Sequence, residues 1–369
     1  MNIIFIYIFV MNPKGFVEMN PKGFVEMIPK GIQNLGNTCF LNACVQILLQ
    51  TFELDILEQP QHISLAKKDI LEYHFYNEWK LLKEYINNPT NDTTVISPNS
   101  FIRCIHQIAQ QKNRTLFSGF AQNDIPELLL LFIEIIHSCF AHEVKFTIQG
   151  TTQNKIDEMA IQCYKMKQTY YEKDYSPLID IFYGISVSSI LSINDSSILS
   201  SVSEPYFILD LPICGNTLYD CLDQYVSPEI MENENAWFNE NTQQKENVFK
   251  QLAFWNFPKI LIITFKRFSS ISSEQGVRLC KTMEFVEFPL HGLELSKYIK
   301  GYNASKYTYD LYGVCNHIGN VTGGHYTSFV KTKENQWFHC NDEHIEKVEN
   351  PLHIITPIAY SLFYRCVSI

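Results

Sequence analysis

A chain of 369 residues that is 46% hydrophobic and 18% charged has ample apolar surface for a folded core, which excludes wholesale disorder. Its net charge of −10 argues against nucleic acid as the main partner and favours a basic protein or peptide. Eleven cysteines, an odd number with no C-x-x-C pair, argue against a disulfide scaffold or a thiolate zinc site and fit a reducing compartment, cytoplasm or nucleus. No run reaches the ~18–20 apolar residues of a membrane span. Length alone allows two or three domains, or one large domain with an insertion.

Residues 1–10 (MNIIFIYIFV) are apolar but lack a basic start and a small-residue cleavage site. They read as a tail that packs locally or frays rather than as a signal peptide. Residues 11–18 and 19–26 are the same octapeptide, MNPKGFVE, and MIPKGI begins a degraded third copy at Met27. A period of eight in so few copies does not build a solenoid. The domain proper is expected from about residue 31, and the repeated Met leaves the translational start open.

A helix-rich stretch follows to about residue 145. Asn37-Thr38 precede an apolar periodic run, Phe40, Leu41, Cys44, Ile47 and Leu48, which predicts a helix beginning at Cys39. Asp124-Ile125-Pro126-Glu127 resembles a capping box with Pro in the first turn, and opens a Leu128–Ile136 helix expected to be deeply buried. Residues 175–270 favour strands, at Tyr206–Leu211 and Ile260–Phe268, and the polar Ser227–Lys250 between them reads as a loop or extended excursion. From Thr282 the chain is again strand-like. Helices first and strands later predict an α+β fold.

Two segments carry chemistry. Asn34-Leu35-Gly36-Asn37-Thr38-Cys39 puts a thiol at a helix start, where unpaired amides and the helix dipole favour thiolate. Gly36 allows a sharp turn there, and the Asn34 amide is placed to reach a developing oxyanion. Taken alone, an ordinary buried cysteine explains the same residues. Gly323-Gly324-His325-Tyr326 and Trp337-Phe338-His339-Cys340-Asn341-Asp342 flank a polar turn at 331–335 and should pair as a hairpin. Pairing Val330 with Gln336 sets His325 opposite Asn341, a base beside the residue that orients its ring. His317 reads as a loop hydrogen-bonder, His339 and His344 lack metal-ligand spacing, and Lys266-Arg267 reads as a solvated strand end.

These residues resemble the ubiquitin-specific proteases, thiol hydrolases that remove ubiquitin. GIQNLGNTCFLNACVQILLQ (31–50) is similar to the family's Cys box, and GGHYTSFVK with WFHCND (323–342) to its His box. Between and after them, GFAQND (119–124), EPYF (204–207), TFKRF (264–268), YDLYGV (309–314) and AYSLFY (359–364) follow in family order. The resemblance implies a papain-like hand with a helical thumb (about 31–175), β fingers (180–257) and a β palm (258–369). It makes Cys39 the nucleophile, His325 the general base, Asn341 the ring-orienting residue with Asp342 beside it, and Asn34 the oxyanion donor. It sets Gln122, Asp124, Gly323, Gly324 and Tyr326 along the path of a Gly-Gly terminus. Many members bind zinc through two C-x-x-C pairs at the fingertips; the matching positions here, near Ser192, Asp195, Asn239 and Thr242, hold no cysteine. No metal or cofactor is therefore expected, and the partner implied is ubiquitin or ubiquitinated protein. A ubiquitin-binding module that does not cut, a protease for a ubiquitin-like modifier and a generic papain-type peptidase are the alternatives.

Overall fold

The computed structural model describes residues 5–9, 28–86, 88, 93–114, 117, 123–273, 276–320 and 323–367. Helices dominate the first half and strands the second, the expected α+β order. The octapeptide copies at 11–26 and Gln122 lie outside the described residues.

The helical half runs β1 (Phe5–Phe9), β2 (Gly31–Ile32), α1 (Cys39–Leu49), α2 (Pro60–Leu65), α3 (Leu71–Ile86), β3 (Val95–Ile96), α4 (Asn99–Gln111), α5 (Ile125–Phe140), β4 (Lys145–Gln149), α6 (Lys155–Tyr171) and α7 (Pro177–Phe182). Phe75, Trp79, Phe101 and Phe132 interlock α3, α4 and α5, with ring centroids as close as 4.9 Å. α1 begins at Cys39 as expected, and all eleven of its residues are buried. Over Leu128–Ile136, α5 is buried as expected except at the exposed Leu130 and the half-buried Glu134. Its cap differs from the predicted box: the Asp124 carboxylate accepts from the Ile125 amide at 2.8 Å and from the Tyr360 hydroxyl at 2.8 Å.

An outer sheet follows, built from β5 (Gly184–Ser192), β6 (Ile198–Tyr206), β8 (Glu229–Met231) and β11 (Val248–Asn256) in the order β6-β5-β11-β8. The chain leaves this sheet at Phe207, so the single strand expected over 206–211 is split. β7 (Ile208–Leu211) instead joins the central sheet, parallel to β12 (Ile260–Phe265). α8 (Leu218–Val226) comes next. The polar stretch read as a loop holds β8, the hairpin β9 (Trp237–Asn239) and β10 (Gln244–Glu246), and the start of β11. These short strands pair through backbone groups with little apolar burial, so hydrophobic alternation does not announce them. In that hairpin, Asn239 and Thr242 both donate to the Glu246 carboxylate, and Asp195 caps its own turn by accepting from the Ser197 amide at 3.1 Å.

The rest of the chain is β13 (Phe268–Ser273), β14 (Gly276–Lys281), β15 (Leu293–Glu294), β16 (Thr308–Asn320), β17 (Gly323–Lys331), β18 (Trp337–Asn341), β19 (His344–Val348) and β20 (Ala359–Cys366). The central sheet has the order β19-β18-β17-β16-β20-β12-β7, with β15 on β16. Both its faces are buried. Along β12, Ile260 and Ile262 pack toward the helices, while Leu261, Ile263 and Phe265 enter a second core behind the sheet. That period of two makes the strand continuously apolar. Arg267, read as solvated, is fully buried: its guanidinium donates to the carbonyls of Ala359, Thr282 and Glu284 at 2.7–3.2 Å. Its neighbour Lys266 is exposed.

The start of the domain is stitched to both halves. Ile32 donates to the Asp342 carbonyl at 2.8 Å, and Gln33 to Ile96 at 2.8 Å. A Cβ at Gly31 would lie 2.3 Å from the Glu343 carbonyl oxygen, backbone against backbone. Gly31→Ala is therefore expected to destabilise the fold by about 1–3 kcal/mol through this overlap, measured as a lowered midpoint in thermal or urea unfolding.

Candidate active site

Cys39 is the first residue of α1 and 2% exposed. Gly36 (φ 102°) and Asn37 (φ 54°) both take the left-handed conformation, making the sharp entry turn the sequence anticipates. Asn34 holds that turn together. Its Oδ1 accepts from the amides of Gly36 and Thr38 at 3.1 and 3.2 Å and from the Thr38 hydroxyl at 3.3 Å. Its Nδ2 donates to the Asp342 carboxylate at 2.9 Å.

The thiol departs from the expectation of a ready thiolate. Burial, reinforced by the negative charge of Asp342, pushes its pKa above the ordinary value. The backbone amides of Tyr326, Phe40 and Cys39 itself pull the other way without prevailing. Cys39 therefore rests protonated at neutral pH. The approach of the Tyr326 amide places the sulfur against β17, one residue from His325.

His325 and Asn341 meet, though not by the predicted register. β17 and β18 pair Ser328 with Cys340 and Val330 with Phe338, two residues displaced from the expectation. The cause is a turn at 332–336, closed by Thr332 donating to Gln336 at 2.9 Å, with Asn335 at φ 65°. A slip of two leaves every side chain on its original face. The ring Nε2 donates to Asn341 Oδ1 at 2.7 Å, a diagonal rather than a directly opposed contact. Because an amide oxygen only accepts, the neutral ring carries its proton on Nε2 and leaves a lone pair on Nδ1.

Asp342, next to Asn341 in the sequence, faces away from the imidazole. It sits at φ 48° just beyond β18, and its carboxylate takes the amides of Asn34 at 2.9 Å and Asn42 at 2.7 Å rather than the imidazole. Asn42 also donates to the carbonyls of Ile32 and Gln33, and Gln46 to that of Lys30 at 2.7 Å. Asn42 and Gln46 were missed by sequence reasoning. Their signal was available: two amides four residues apart inside an otherwise apolar helix need buried partners.

His317 is likewise a correction. It lies in β16 rather than in a loop, 3% exposed, with its ring among Phe268, Tyr326 and Tyr360. Burial, with help from Lys281, lowers its pKa to about 4. The space a side chain at Gly324 would need is filled by the His317 ring and the Ile318 carbonyl, so that glycine serves the protein's own packing. Gly323 pairs with Asn320 at the start of β17.

A cleft of about 500 Å³ opens between α5 and the central sheet, lined by Asp124, Leu130, Asp210, Thr264, Lys266 and Tyr360. Burial raises the pKa of both Asp124 and Asp210. Tyr326 links this cleft to the sulfur, its amide at Cys39 and its hydroxyl at Asp124. Among the described residues no group of three His, Cys, Asp or Glu side chains is arranged to hold a metal.

A sequence profile described as "Ubiquitin carboxyl-terminal hydrolase" matches residues 30–364, nearly the whole chain. The chain belongs to the ubiquitin carboxyl-terminal hydrolase family. Ubiquitin carboxyl-terminal hydrolase 2 of Bos taurus is 30% identical over 357 residues, covering 91% of this chain and 55% of the bovine one. Usp2 of Drosophila melanogaster is 29% identical over 344 residues, 90% of this chain and 34% of that protein. The chain thus spans about half, or less, of the length of these relatives. Among solved structures, the SAGA Ubp8/Sgf11/Sus1/Sgf73 DUB module bound to ubiquitin aldehyde superposes with a TM-score of 0.69 at 23% identity, over 92% of this chain and 70% of that one. A second structure of the SAGA Ubp8/Sgf11/Sus1/Sgf73 DUB module gives a TM-score of 0.64 at 23% identity, over 92% of this chain and 68% of that one. The fold is accordingly the α+β, papain-like hand of this family.

Two measurements check this geometry. Asp342→Ala removes the charged acceptor of the Asn34 and Asn42 amides and should cost about 1.5–3 kcal/mol in urea unfolding. Because folded His317 refuses a proton that the unfolded chain accepts, stability should fall as pH drops from about 6.5 toward 4, where the folded ring titrates. The slope from this one group approaches about 1.4 kcal/mol per pH unit, and His317→Phe should remove that share of the acid limb.

Proposed function

We propose that this chain is a deubiquitinating thiol hydrolase, cleaving the bond after the C-terminal glycine of ubiquitin. The observation that carries the reading is the Nε2-to-Asn341 hydrogen bond, on a strand whose next residue presents its amide to the Cys39 sulfur. In this reading the thumb is residues 31–175, the fingers 180–257 and the palm 258–369, and the substrate's tail lies in the cleft between thumb and palm. Its carboxylates, Asp124 and Asp210, suit a basic tail. Gly323-Gly324 and Tyr326 would line the last step before the sulfur, and the eleven free cysteines fit the cytoplasm or nucleus.

The chemistry starts from a neutral thiol. His325 Nδ1 takes the proton as the sulfur attacks the scissile carbonyl, and the imidazolium is then held by Asn341. Asn341 orients the ring through its carbonyl oxygen and adds no negative charge. The tetrahedral oxyanion forms near the Asn34 amide and the helix start. One Asn34 hydrogen is committed to Asp342, which fixes the amide plane and leaves the second for the oxyanion. Protonated His325 gives its proton to the leaving lysine amine, and water releases the thioester with His325 again as base. No cofactor enters any step.

Hydrolysis of ubiquitin-aminomethylcoumarin tests the roles. Cys39→Ala and His325→Ala should abolish turnover while retaining ubiquitin binding. Asn34→Ala should lower kcat by about 10²–10³; a near-normal rate would discard the oxyanion role. A wild-type chain that binds ubiquitin but never turns over would favour the non-cutting module, and preferential reaction with the electrophilic probe of another modifier would reassign the substrate.

A further inference from the structure

Among the described residues β4 pairs with β1 alone, antiparallel from Phe5 opposite Gln149 to Phe9 opposite Lys145. β4 is anchored from its own side chains: Phe146 is buried with Val144, Tyr175 and Ile179, and Ile148 packs on the cluster of Ala160 and Cys163 in α6. β1 runs along it in a backbone ladder, with Ile6 packed on the first of these clusters and Tyr7 47% exposed. In the sequence, eighteen residues (10–27) join β1 to the body of the domain.

We propose that the edge of β4 is a strand-docking site, and that the Phe5–Phe9 strand of a second copy of the chain occupies it by reciprocal exchange. The ladder is built from main-chain groups, so the edge accepts an extended strand regardless of which molecule supplies it. An apolar residue opposite Ile148, the place of Ile6, supplies the side-chain requirement. Each copy carries one such strand and one such edge, so exchange closes with two-fold symmetry and leaves neither edge open. Reach does not limit it, since eighteen residues extend to about 60 Å. Because strand and edge belong to one chain, a copy's own strand docks in dilute solution, and exchange grows as protein concentration approaches about 1 mM, the order at which covalently linked partners cease to outcompete free ones.

Two measurements decide this, and neither depends on the hydrolase reading. A chain lacking residues 1–10 should bind an inert carrier protein fused to Met1–Val10 saturably, and the full chain should bind it at least ten-fold more weakly. Ile6→Asp in the carrier fusion should abolish binding. Cooperative urea unfolding of the shortened chain confirms that it is folded. Scattering from the full chain should show mass rising toward a dimer as concentration approaches about 1 mM, with no such rise in the shortened chain. Absence of carrier binding to the folded, shortened chain, equal binding by both chains, or a concentration-independent mass of the full chain would each overturn the proposal.

Discussion

The carboxylate of Asp342 is the junction on which the site depends. It collects an amide from the turn before α1 and another from within α1, while its own carbonyl receives the Ile32 amide of the domain's first strand. Three consecutive segments at the start of the domain are thus held by one residue from the far end of the chain, in a left-handed conformation. Asn34 could not keep its amide plane fixed by its turn alone, because Oδ1 is already shared among three donors. With Asp342 on Nδ2, both ends of that side chain are defined before any substrate arrives. In the proposed hydrolase reading this is electrostatic preparation: the donor pays no reorganisation cost when negative charge develops.

Asp342 also brings a tension with the nucleophile. The same negative charge that orders the turn lies close enough to Cys39 to oppose ionisation, and burial opposes it more strongly. The helix start and three nearby amides do not overcome these two effects. A buried neutral thiol resists adventitious oxidation and alkylation, since thiolate is the reactive form. In the proposed reading, nucleophilicity is then created in the presence of the base rather than stored in the resting protein. Asn341 fits this economy, for it fixes the tautomer that leaves Nδ1 unprotonated.

Features set by local chemistry were legible in the sequence. The start of α1 at Cys39 follows from a glycine–asparagine turn running into an apolar helix, and the burial of β12 on both faces from its unbroken apolar run. The register of β17 with β18 was displaced because it is decided by the turn at 332–336, whose left-handed Asn335 no periodicity reveals. A slip of two preserves the face, so His325 found Asn341 nonetheless. Arg267 and His317 were misjudged for a shared reason: their burial is created by strands distant in sequence, Ala359 and Thr282 around the first, Tyr326 and Tyr360 around the second. The partners of Asp342 were hidden likewise, since an aspartate beside a ring-orienting asparagine gives no local sign that it faces the other end of the chain.

The bond from Asn34 to Asp342 spans 308 positions, and that from Asn42 spans 300. Contacts of such separation form late, after the loop between them has been closed. During synthesis at ~5–20 residues per second, the cysteine leaves the ribosome well before the histidine and its asparagine are made. A nascent or prematurely terminated product therefore carries the sulfur without a base, an ordered oxyanion donor or the strand that covers it. In the proposed hydrolase reading, competence arrives with the last strands of the central sheet, so the topology itself would delay peptidase chemistry until translation of this domain is nearly complete.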